Sequence, residues 1–301
     1  MEILARKGRE ENAWIYLARF RKSRDHLVEF VDSVEPGIPR EKKWCINIST
    51  QFGCPVNCRL CDAGGSFHGN LTKEELLAQV KHVLGTRNFM KTEKLKVHYA
   101  RMGEPLLNPA VLESLLELPE ICKPNLPLAC IATTAPASSY HQLVKIAEIK
   151  DSYYRNGRFQ LQFSINSTDE RVRDYLMPIK KMKLEELAEF GERFWDSKDR
   201  KINLNFALAK NVPAEPDVIE KLFNPEKFLI KLTPVNPTKT AENNGIVSMI
   251  PFEGEVELEI AEKLRNAGFD VIVSIGAKEE IEIGSNCGQY VRMWNVSDFS
   301  C

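Results

Sequence analysis

Three closely spaced cysteines are the residues whose type and arrangement point most directly to chemistry. They are Cys54, Cys58 and Cys61, in the run G-C-P-V-N-C-R-L-C, and no fourth cysteine lies near them. Clusters of the [4Fe–4S] type are ordinarily held by four cysteine thiolates. Three thiolates would leave the fourth iron open to a ligand that is not protein. The spacing C-x3-C-x2-C therefore predicts a [4Fe–4S] cluster with one open iron.

A zinc site and a set of structural thiols are the alternatives to a cluster. Structural zinc sites usually close with four ligands, from paired C-x2–4-C or H-x3–5-H units. No second pair of this kind occurs, because the five histidines are scattered and the other cysteines are Cys45, Cys122, Cys130, Cys287 and Cys301. The pattern favours the cluster.

Length and charge set broad limits on the protein. A chain of 301 residues can bury a full-sized core and can form a single α/β barrel-like domain. With 41 Lys+Arg against 42 Asp+Glu, the overall charge does not support binding to nucleic-acid phosphates. A basic stretch over residues 6–24 is interrupted by acidic residues, which indicates a solvated face.

The sequence predicts a cytoplasmic protein. No apolar stretch approaches the ~20 residues that cross a bilayer, and the first residues do not have the pattern of a signal peptide. Eight cysteines, clustered rather than spread as a disulfide framework, are typical of metal chemistry in a reducing compartment.

Strand-like and helix-like segments alternate from about residue 44 onward. The predicted strands are Trp44–Ser49, Leu95–Ala100, Leu128–Thr133, Gln160–Asn166, Ile202–Ala209 and Phe228–Pro234. Predicted helices between and after them include Leu71–Leu84, with a capping box from Thr72 to Glu75, Leu184–Phe194 and Val256–Ala267. Six β/α repeats predict an α/β fold with a parallel sheet, a partial (β/α)6 TIM-like barrel. Its chemistry would gather at the carboxyl ends of the strands.

Two domains are predicted. Residues 1–43 form a small N-terminal adaptor, in which W-I-Y-L-A-R-F and H-L-V-E-F-V pair as a β-hairpin around Arg21–Asp25. Residues 44–301 form the barrel domain with a C-terminal tail. Within it, residues 236–252 are interpreted as a loop and residues 285–301 as an irregular tail.

Five motifs in sequence resemble the radical SAM RNA adenine methyltransferases, the RlmN/Cfr family. They are S-T-Q-F-G-C-P-V-N-C-R-L-C, M-G-E-P-L-L-N, S-I-N-S-T-D-E-R-V-R-D-Y-L-M-P-I, P-V-N-P and N-C-G-Q-Y, in the order found in the family. The resemblance covers roughly residues 27–290. It implies a barrel of the radical SAM type and binding of S-adenosylmethionine to the open iron of the cluster.

The resemblance also implies roles for individual residues. Cys54, Cys58 and Cys61 would ligate the cluster, and Glu104 would lie near the methionine amine of S-adenosylmethionine. The cofactor-binding positions that the resemblance implies are Gly103, Glu104, Thr133, Thr134, Ser164, Ile165, Asn166 and Asn236. Several have simpler explanations: Gly103 and Pro105 as loop formers, Glu104 as a solvated carboxylate, Asn166 and Asn236 as turn formers.

Two residues correspond to catalytic positions of the family. Cys287, in N-C-G-Q-Y, matches the cysteine that the family methylates and uses as a methyl carrier. Glu29, in V-E-F-V, matches a glutamate that the family assigns as a proton acceptor. A cysteine outside such a motif is more often a small buried apolar residue.

The chain departs from the family pattern in two places. The family's second cysteine, which resolves the enzyme–substrate crosslink, corresponds to Asn47, seven positions before Cys54. Cys45, two positions upstream, would point to the same face of a strand, and Cys301 is another candidate to replace it. The chain is also expected to lack most of the family's N-terminal RNA-binding domain.

Three functional hypotheses follow. The first is a radical SAM methyltransferase that acts on an unactivated sp2 carbon of a base, such as an adenine in RNA, a nucleoside or a small molecule. The second is a radical SAM enzyme that does not methylate, and the third is an iron–sulfur or S-adenosylmethionine-binding module without turnover. Either enzyme would take electrons from a donor such as flavodoxin or ferredoxin and would not require a membrane.

Overall fold

The computed structural model describes residues 1–35, 37–252, 258–275, 283–284 and 288–297 of the chain. In these residues no helix is both long enough and apolar enough to span a membrane.

Helices and strands alternate along most of the chain. The strands are β1 (Glu2–Arg9), β2 (Ala13–Arg19), β3 (Leu27–Ser33), β4 (Trp44–Ile48), β5 (Gln51–Phe52), β6 (Gly69–Asn70), β7 (Leu95–Tyr99), β8 (Pro127–Thr133), β9 (Phe159–Ser164), β10 (Ile202–Leu208), β11 (Phe228–Pro234) and β12 (Asp270–Val273). The helices are α1 (Lys73–Gly85), α2 (Ala110–Ile121), α3 (Tyr140–Tyr153), α4 (Glu170–Leu176), α5 (Leu184–Phe194), α6 (Pro216–Leu222), α7 (Lys239–Asn243), α8 (Glu259–Asn266) and α9 (Gln289–Ser297).

One large sheet organises the fold. Its strand order is β1-β2-β3-β4-β7-β8-β9-β10-β11-β12, and all neighbours from β4 to β12 pair in parallel. The predicted α/β class and parallel sheet are confirmed, and each of the six predicted strands is present within two residues of its expected bounds. The structure adds β12, a seventh parallel strand that is short and partly exposed.

The strands bury one face completely and the other only in part. Burial alternates residue by residue in β4, β7, β10 and β11. Side chains on the outer face, such as Val97, Leu204 and Ile230, are 0% exposed and belong to the main core under the helices. The inner face carries half-buried and mostly polar side chains. This period of two is what a strand with two different environments requires.

The N-terminal strands extend the sheet. β1, β2 and β3 pair antiparallel as a meander, so the predicted hairpin pairing is present and a third strand joins it. β3 then pairs antiparallel with β4, with Val31 opposite Asn47. The meander is therefore continuous with the parallel strands through backbone hydrogen bonds. The division into residues 1–43 and 44–301 stays a prediction.

Helix α1 begins with the predicted capping box. The Thr72 hydroxyl accepts a hydrogen bond from Glu75 N, and the Glu75 carboxylate accepts one from Thr72 N at 2.9 Å. These two bonds satisfy backbone donors that the first turn of a helix leaves free. The helix then packs its buried residues against β4 and the core.

Two segments differ from their prediction. The tail over residues 285–301 is not wholly irregular, because α9 occupies Gln289–Ser297. The loop over residues 236–252 contains the short helix α7, whose N-cap Thr238 accepts a hydrogen bond from Ala241 N. The predicted helix Val256–Ala267 corresponds to α8, and residues 256–257 lie outside the described part of the chain.

One buried side chain fastens α1 to the end of β4. Gln79, 0% exposed, accepts a hydrogen bond from Ser49 N at 2.9 Å and donates one to Ser49 O at 3.0 Å. Ser49 is itself fully buried, and it leads directly into the segment that carries the clustered cysteines. Gln79 therefore satisfies both backbone groups of a residue that water does not reach.

We expect Gln79→Leu to lower the free energy of unfolding by about 1–3 kcal/mol, because the buried Ser49 N–H and C=O would lose their partners. Chemical denaturation of the purified variant measures this change. Lys81→Ala, at an exposed position of the same helix, is the control and should change the free energy by less than about 0.5 kcal/mol. Equal effects of the two substitutions would contradict the role of Gln79.

Candidate active site

The clustered cysteines lie on a loop that the fold closes at its base. β5 and β6 pair antiparallel, so the loop over residues 53–68 starts and ends at neighbouring points. All three thiols line one cavity of about 280 Å³. This volume lies near the lower end of the range for small-molecule sites. The cavity is at the carboxyl ends of the parallel strands, where the β/α pattern predicts the chemistry.

Burial makes two of these thiols, Cys54 and Cys58, resist ionisation. It raises the pKa of Cys54 to about 12, and the neighbouring Cys61 adds to the shift. The pKa of Cys58 is raised well above its ordinary value by burial and then by the other two cysteines. A coordinated metal would reverse these shifts, because metal binding deprotonates a thiol. Cys54 and Cys58 therefore need positive charge beside them to act as thiolates.

The donor set suits a cluster better than a single ion. Among the described residues, no three His, Cys, Asp or Glu side chains converge closely enough to hold one metal ion. Zinc needs such convergence, because each sulfur lies about 2.3 Å from the ion. A [4Fe–4S] cube distributes its cysteines over separate irons. Cys54, Cys58 and Cys61 around one cavity therefore fit a cube and would hold three of its corners.

Gly103 and Glu104 follow β7 and line the same cavity. Gly103 has a φ of +107°, and a Cβ there would lie 2.5 Å from Thr50 Oγ1 and 2.8 Å from Gln51 N. Only glycine fits this close approach without strain. Glu104 N also donates to Gln51 Oε1 at 2.8 Å. The M-G-E-P segment is thus fastened to the residues that precede the cysteine loop.

The Glu104 carboxylate is buried and surrounded by donors. It accepts hydrogen bonds from Thr134 N and Thr134 Oγ1, both at 2.8 Å, from Leu106 N at 3.1 Å and from the Thr133 hydroxyl. Burial still raises the pKa of Glu104, and the hydrogen bonds offset only part of that effect. A cationic ligand group beside it would favour the carboxylate form. The structure therefore brings Thr133, Thr134 and Glu104 together in one network.

Three of the four remaining predicted cofactor-binding positions line the cavity, and one does not. Ser164, Asn166 and Asn236 line the cavity. Asn166 has a positive φ of 62° and accepts a hydrogen bond from Ala207 N at 3.1 Å through its side chain. Ile165 does not line the cavity, because its side chain is 0% exposed and packs in the main core.

Sequence reasoning missed several residues of the cavity wall. Gln162, Asn205 and Thr233 line it from the inner face of β9, β10 and β11, and Arg101 lines it from the loop after β7. A signal for three of them is present in the sequence. Polar residues at every second position of otherwise apolar strands, as in F-Q-L-Q-F-S and I-N-L-N-F-A-L, indicate a polar inner face.

Glu29 does not line this cavity but anchors the start of α9. Its carboxylate accepts hydrogen bonds from Gly288 N at 2.8 Å, Tyr290 N at 3.0 Å and Val291 N at 3.1 Å. It also forms an ion pair with Arg101, and its side chain is 0% exposed. An acidic side chain from β3 thus caps a helix that lies about 260 positions later in the chain. Cys287 itself lies outside the described residues.

A second contact holds α9 against the cysteine loop. The Asp62 carboxylate, one position after Cys61, accepts hydrogen bonds from Arg292 Nη1 at 2.7 Å and from Thr240 N at 2.9 Å. At Gly288 the backbone approaches so closely that a Cβ would lie 2.2 Å from Ala63 N. The residue that follows Cys287 is therefore in contact with the loop that carries the clustered cysteines.

Asn47 and Cys45 share the inner face of β4. Both are half-buried, and the Asn47 amide donates to Cys45 Sγ at 3.7 Å, as expected for residues two positions apart on a strand. Neither is part of the cavity wall. Cys301 lies outside the described part of the chain.

No protein-family model matches the chain. Curated relatives named dual-specificity RNA methyltransferase RlmN do match it. The protein from Nautilia profundicola is 26% identical over 290 residues, which are 90% of this chain and 75% of the relative. The probable RlmN from Desulfitobacterium hafniense is 30% identical over 254 residues, 81% of this chain and 66% of the relative. The protein from Aliarcobacter butzleri is 25% identical, with 96% and 79% covered.

A solved structure matches the fold. The crystal structure of a radical SAM methyltransferase from Sphaerobacter thermophilus superimposes with a TM-score of 0.72 over 96% of this chain and 80% of that one, at 19% identity. The predicted partial TIM-like barrel is therefore confirmed at the level of the fold.

We expect Cys54→Ala, Cys58→Ala and Cys61→Ala each to abolish assembly of the cluster, because a cube loses a corner ligand with every substitution. Iron and sulfide content after anaerobic reconstitution measures the loss. Cys122→Ala is the matched control, since Cys122 is 0% exposed but does not line the cavity. Full iron content in any of the three variants, or zinc in the wild-type protein, would contradict the assignment.

We expect Glu29→Gln to release α9, because an amide cannot replace the charged acceptor of three backbone N–H groups or the partner of Arg101. Hydrogen exchange of residues 288–297 should become roughly tenfold faster or more. Glu262→Gln, at an exposed position of α8, is the control and should leave this exchange unchanged. Unchanged protection in Glu29→Gln would show that the capping contacts do not hold the helix.

Proposed function

We propose a function for this chain from the premise that it is a radical SAM enzyme homologous to the RlmN methyltransferases. It transfers a methyl group to an unactivated sp2 carbon of a base, a nucleoside or a related small molecule, with Cys287 as the methyl carrier. The observation that carries the proposal is the single cavity shared by Cys54, Cys58, Cys61 and the Glu104 network. The enzyme works in the cytoplasm and takes electrons from a flavodoxin or a ferredoxin.

The three clustered cysteines hold the cofactor in this proposal. Cys54, Cys58 and Cys61 would ligate a [4Fe–4S] cluster and leave one iron for S-adenosylmethionine. When bound, the two cofactors supply the methyl group and, by one-electron cleavage of the sulfonium, a 5′-deoxyadenosyl radical that abstracts hydrogen. The protein positions the two cofactors and excludes water from the cavity. The closed base of the cysteine loop and the fixed M-G-E-P segment support these two roles.

Glu104 recognises the ammonium group of S-adenosylmethionine. Its carboxylate is held in place by Thr133, Thr134 and Leu106, so it does not need to reorganise when a cation arrives. Burial raises the pKa of Glu104, and a ligand ammonium would compensate for that unfavourable burial of charge. The side chain therefore discriminates in favour of a cationic group at this point of the cavity.

The nucleoside part of S-adenosylmethionine binds on the strand side of the cavity. Ser164, Asn166 and Asn236 occupy positions that the family resemblance assigns to cofactor binding, and all three line the wall. Amide side chains there can donate and accept hydrogen bonds at once, as the edge of a base requires.

Glu29 acts chiefly by docking α9. Its two carboxylate oxygens accept from three backbone N–H groups, and Arg101 neutralises its charge. A proton-acceptor role, the one that the resemblance implies, would require release of these contacts during turnover.

A radical SAM enzyme without methyl transfer is the second candidate. The observation in its favour is Asn47 at the position of the resolving cysteine, because an amide cannot form a disulfide. Cys45 lies on the same face of β4 but is not part of the cavity wall. Its sulfur would therefore have to move toward the cavity to reach the crosslink.

The decisive experiment is anaerobic reconstitution with S-adenosylmethionine labelled in its methyl group, followed by mass spectrometry of the intact protein. We expect one labelled methyl group on Cys287 and formation of 5′-deoxyadenosine under reducing conditions. Cys287→Ala should abolish methyl uptake and leave the iron content unchanged, because Cys287 is not one of the cluster cysteines.

Cys130→Ala is the matched control for the loss of a thiol. Cys130 lies on the inner face of β8 and is 0% exposed, so its removal should leave methyl uptake intact. Formation of 5′-deoxyadenosine without any methyl on the protein would overturn the methyltransferase proposal in favour of the second candidate.

A further inference from the structure

Helix α4 covers two of the clustered cysteines and also reaches the surface. Leu176, in its last turn, is 2% exposed and belongs to a small apolar cluster against which Cys54 and Cys58 pack. Tyr175, the neighbour of Leu176, is 51% exposed. One step along α4 therefore leads from a side chain packed beside the cysteines to an aromatic ring in contact with solvent.

Arg59 directly follows Cys58 in the sequence and stacks on this exposed ring. Its guanidinium carbon lies 4.4 Å from the centre of the Tyr175 ring, a geometry in which a cation is attracted to an aromatic face. Arg59 Nε donates to Tyr175 O and Arg59 Nη1 donates to Asn244 Oδ1, both at 3.0 Å. The Arg59 backbone N–H donates to Leu176 O at 2.9 Å. One peptide bond thus joins a cluster cysteine to the arginine that faces Tyr175.

The pair of Arg59 and Tyr175 has the properties of a protein-binding hot spot. Tyrosine and arginine are among the residue types that contribute most to binding energy in protein interfaces. The stacking contact and the side-chain hydrogen bonds already hold Arg59 in one position. A side chain that is held before binding loses less conformational freedom when a partner arrives.

A second arginine lies on the other side of the ring. Arg171 is exposed and precedes Tyr175 by four positions on α4. Residues four apart on a helix have neighbouring side chains. Val172 and Leu176, also four apart, both belong to the apolar side of α4 that packs toward the cysteines. The outward side of the helix therefore presents Arg171 and Tyr175 together.

The carboxylates nearest to this surface are engaged in contacts within the fold. The contacts are those of Asp169 with the N–H groups of Arg171 and Val172, of Glu170 with Arg173, and of Asp174 with Lys181. The acceptors of the Arg59 side chain named above are neutral, since they are a backbone carbonyl and an amide. Two arginine charges thus flank Tyr175 on the surface over the cysteine loop.

We propose that Arg59, Arg171 and Tyr175 form the docking surface for the protein that delivers electrons to the cluster, a small one-electron donor with an acidic surface of the flavodoxin type. The proposal rests on the proposed function, which assigns a cluster to the clustered cysteines. Opposite charges on the two surfaces would speed association. Electron transfer slows steeply with distance, so docking beside a cluster cysteine favours it. One electron passes from the reduced flavin to the cluster, and no bond forms or breaks.

Reduction of the reconstituted cluster by flavodoxin hydroquinone tests this surface, with absorbance in an anaerobic stopped-flow instrument as the measurement. Arg171→Glu should slow the reduction roughly fivefold or more at low ionic strength. The difference should shrink in about 0.5 M salt, because salt screens exposed charges. Reduction by dithionite should not change, since dithionite needs no docked protein. A glutamate suits the first turn of a helix, so the substitution is compatible with α4.

Arg155→Glu is the matched control, because it makes the same change of charge on another surface. Arg155 is exposed and lies two positions after Tyr153, which is 48% exposed, close to the amino end of β9 and so at the opposite end of the strand from the cavity. This variant should be reduced by flavodoxin as the wild type is. Equal slowing in both variants would assign the effect to net charge and overturn the docking surface. Slower reduction of Arg171→Glu by dithionite as well would assign the effect to the cluster itself, with the same consequence.

Hydrogen exchange on the wild-type protein gives an independent measurement. Oxidised flavodoxin delivers no electron but presents the same protein surface. At saturating concentration it should slow exchange over residues 171–177 several-fold and leave residues 150–155 unchanged. Unchanged exchange over residues 171–177 would overturn the proposal, as would protection by an RNA oligonucleotide with none by flavodoxin. If Arg171→Glu does not fold, this measurement decides alone.

The outcomes separate this inference from the proposed function. Cluster reduction and flavodoxin binding are both measured without substrate and without methyl transfer. A methyl group on Cys287 in the presence of dithionite, with no effect of Arg171→Glu on reduction by flavodoxin, would overturn the docking surface and leave the methyltransferase proposal standing. Reduction that depends on Arg171, with no methyl on the protein, would do the reverse.

Discussion

The site depends on one constraint, which is that negative charge is unfavourable in a buried cavity. Three thiols and the Glu104 carboxylate face one cavity, and burial raises the pKa of Cys54, Cys58 and Glu104. The anionic forms of Cys54, Cys58 and Glu104 are therefore unfavourable unless a cation lies beside them. In the proposed function, the irons of a cluster and the ammonium group of S-adenosylmethionine would supply positive charge beside the cysteines and beside Glu104.

The parts of the fold that the sequence predicts are those determined by local chemistry. The strands between Trp44 and Pro234 can be recognised in the sequence as short apolar runs between turn residues. Thr72 and Glu75, three positions apart, mark the start of α1. The cysteine spacing is equally local. In each case the residues that fix the structure are neighbours in sequence, so pattern and propensity are sufficient.

The features that escaped prediction depend on distant partners. The start of helix α9 is capped from far away in the sequence, because Glu29 on β3 accepts hydrogen bonds from three backbone N–H groups there. Strand β12 is only four residues long and exists by pairing with β11. Ile165 and Asn166 are adjacent in one motif just after β9, yet only Asn166 lines the cavity, whereas Ile165 packs in the main core.

In the described part of the chain, the N-terminal meander places β1 at one edge of a ten-stranded sheet, with β2 as its one neighbour. An unpaired strand presents its backbone N–H and C=O groups to any other extended chain, and this is a common route to aggregation. Arg6, Lys7 and Arg9 all lie on β1, and cationic side chains at such a border repel a second copy of the same strand. Charge repulsion between these side chains disfavours pairing of two copies along this edge, and this consequence of the basic stretch requires no nucleic acid.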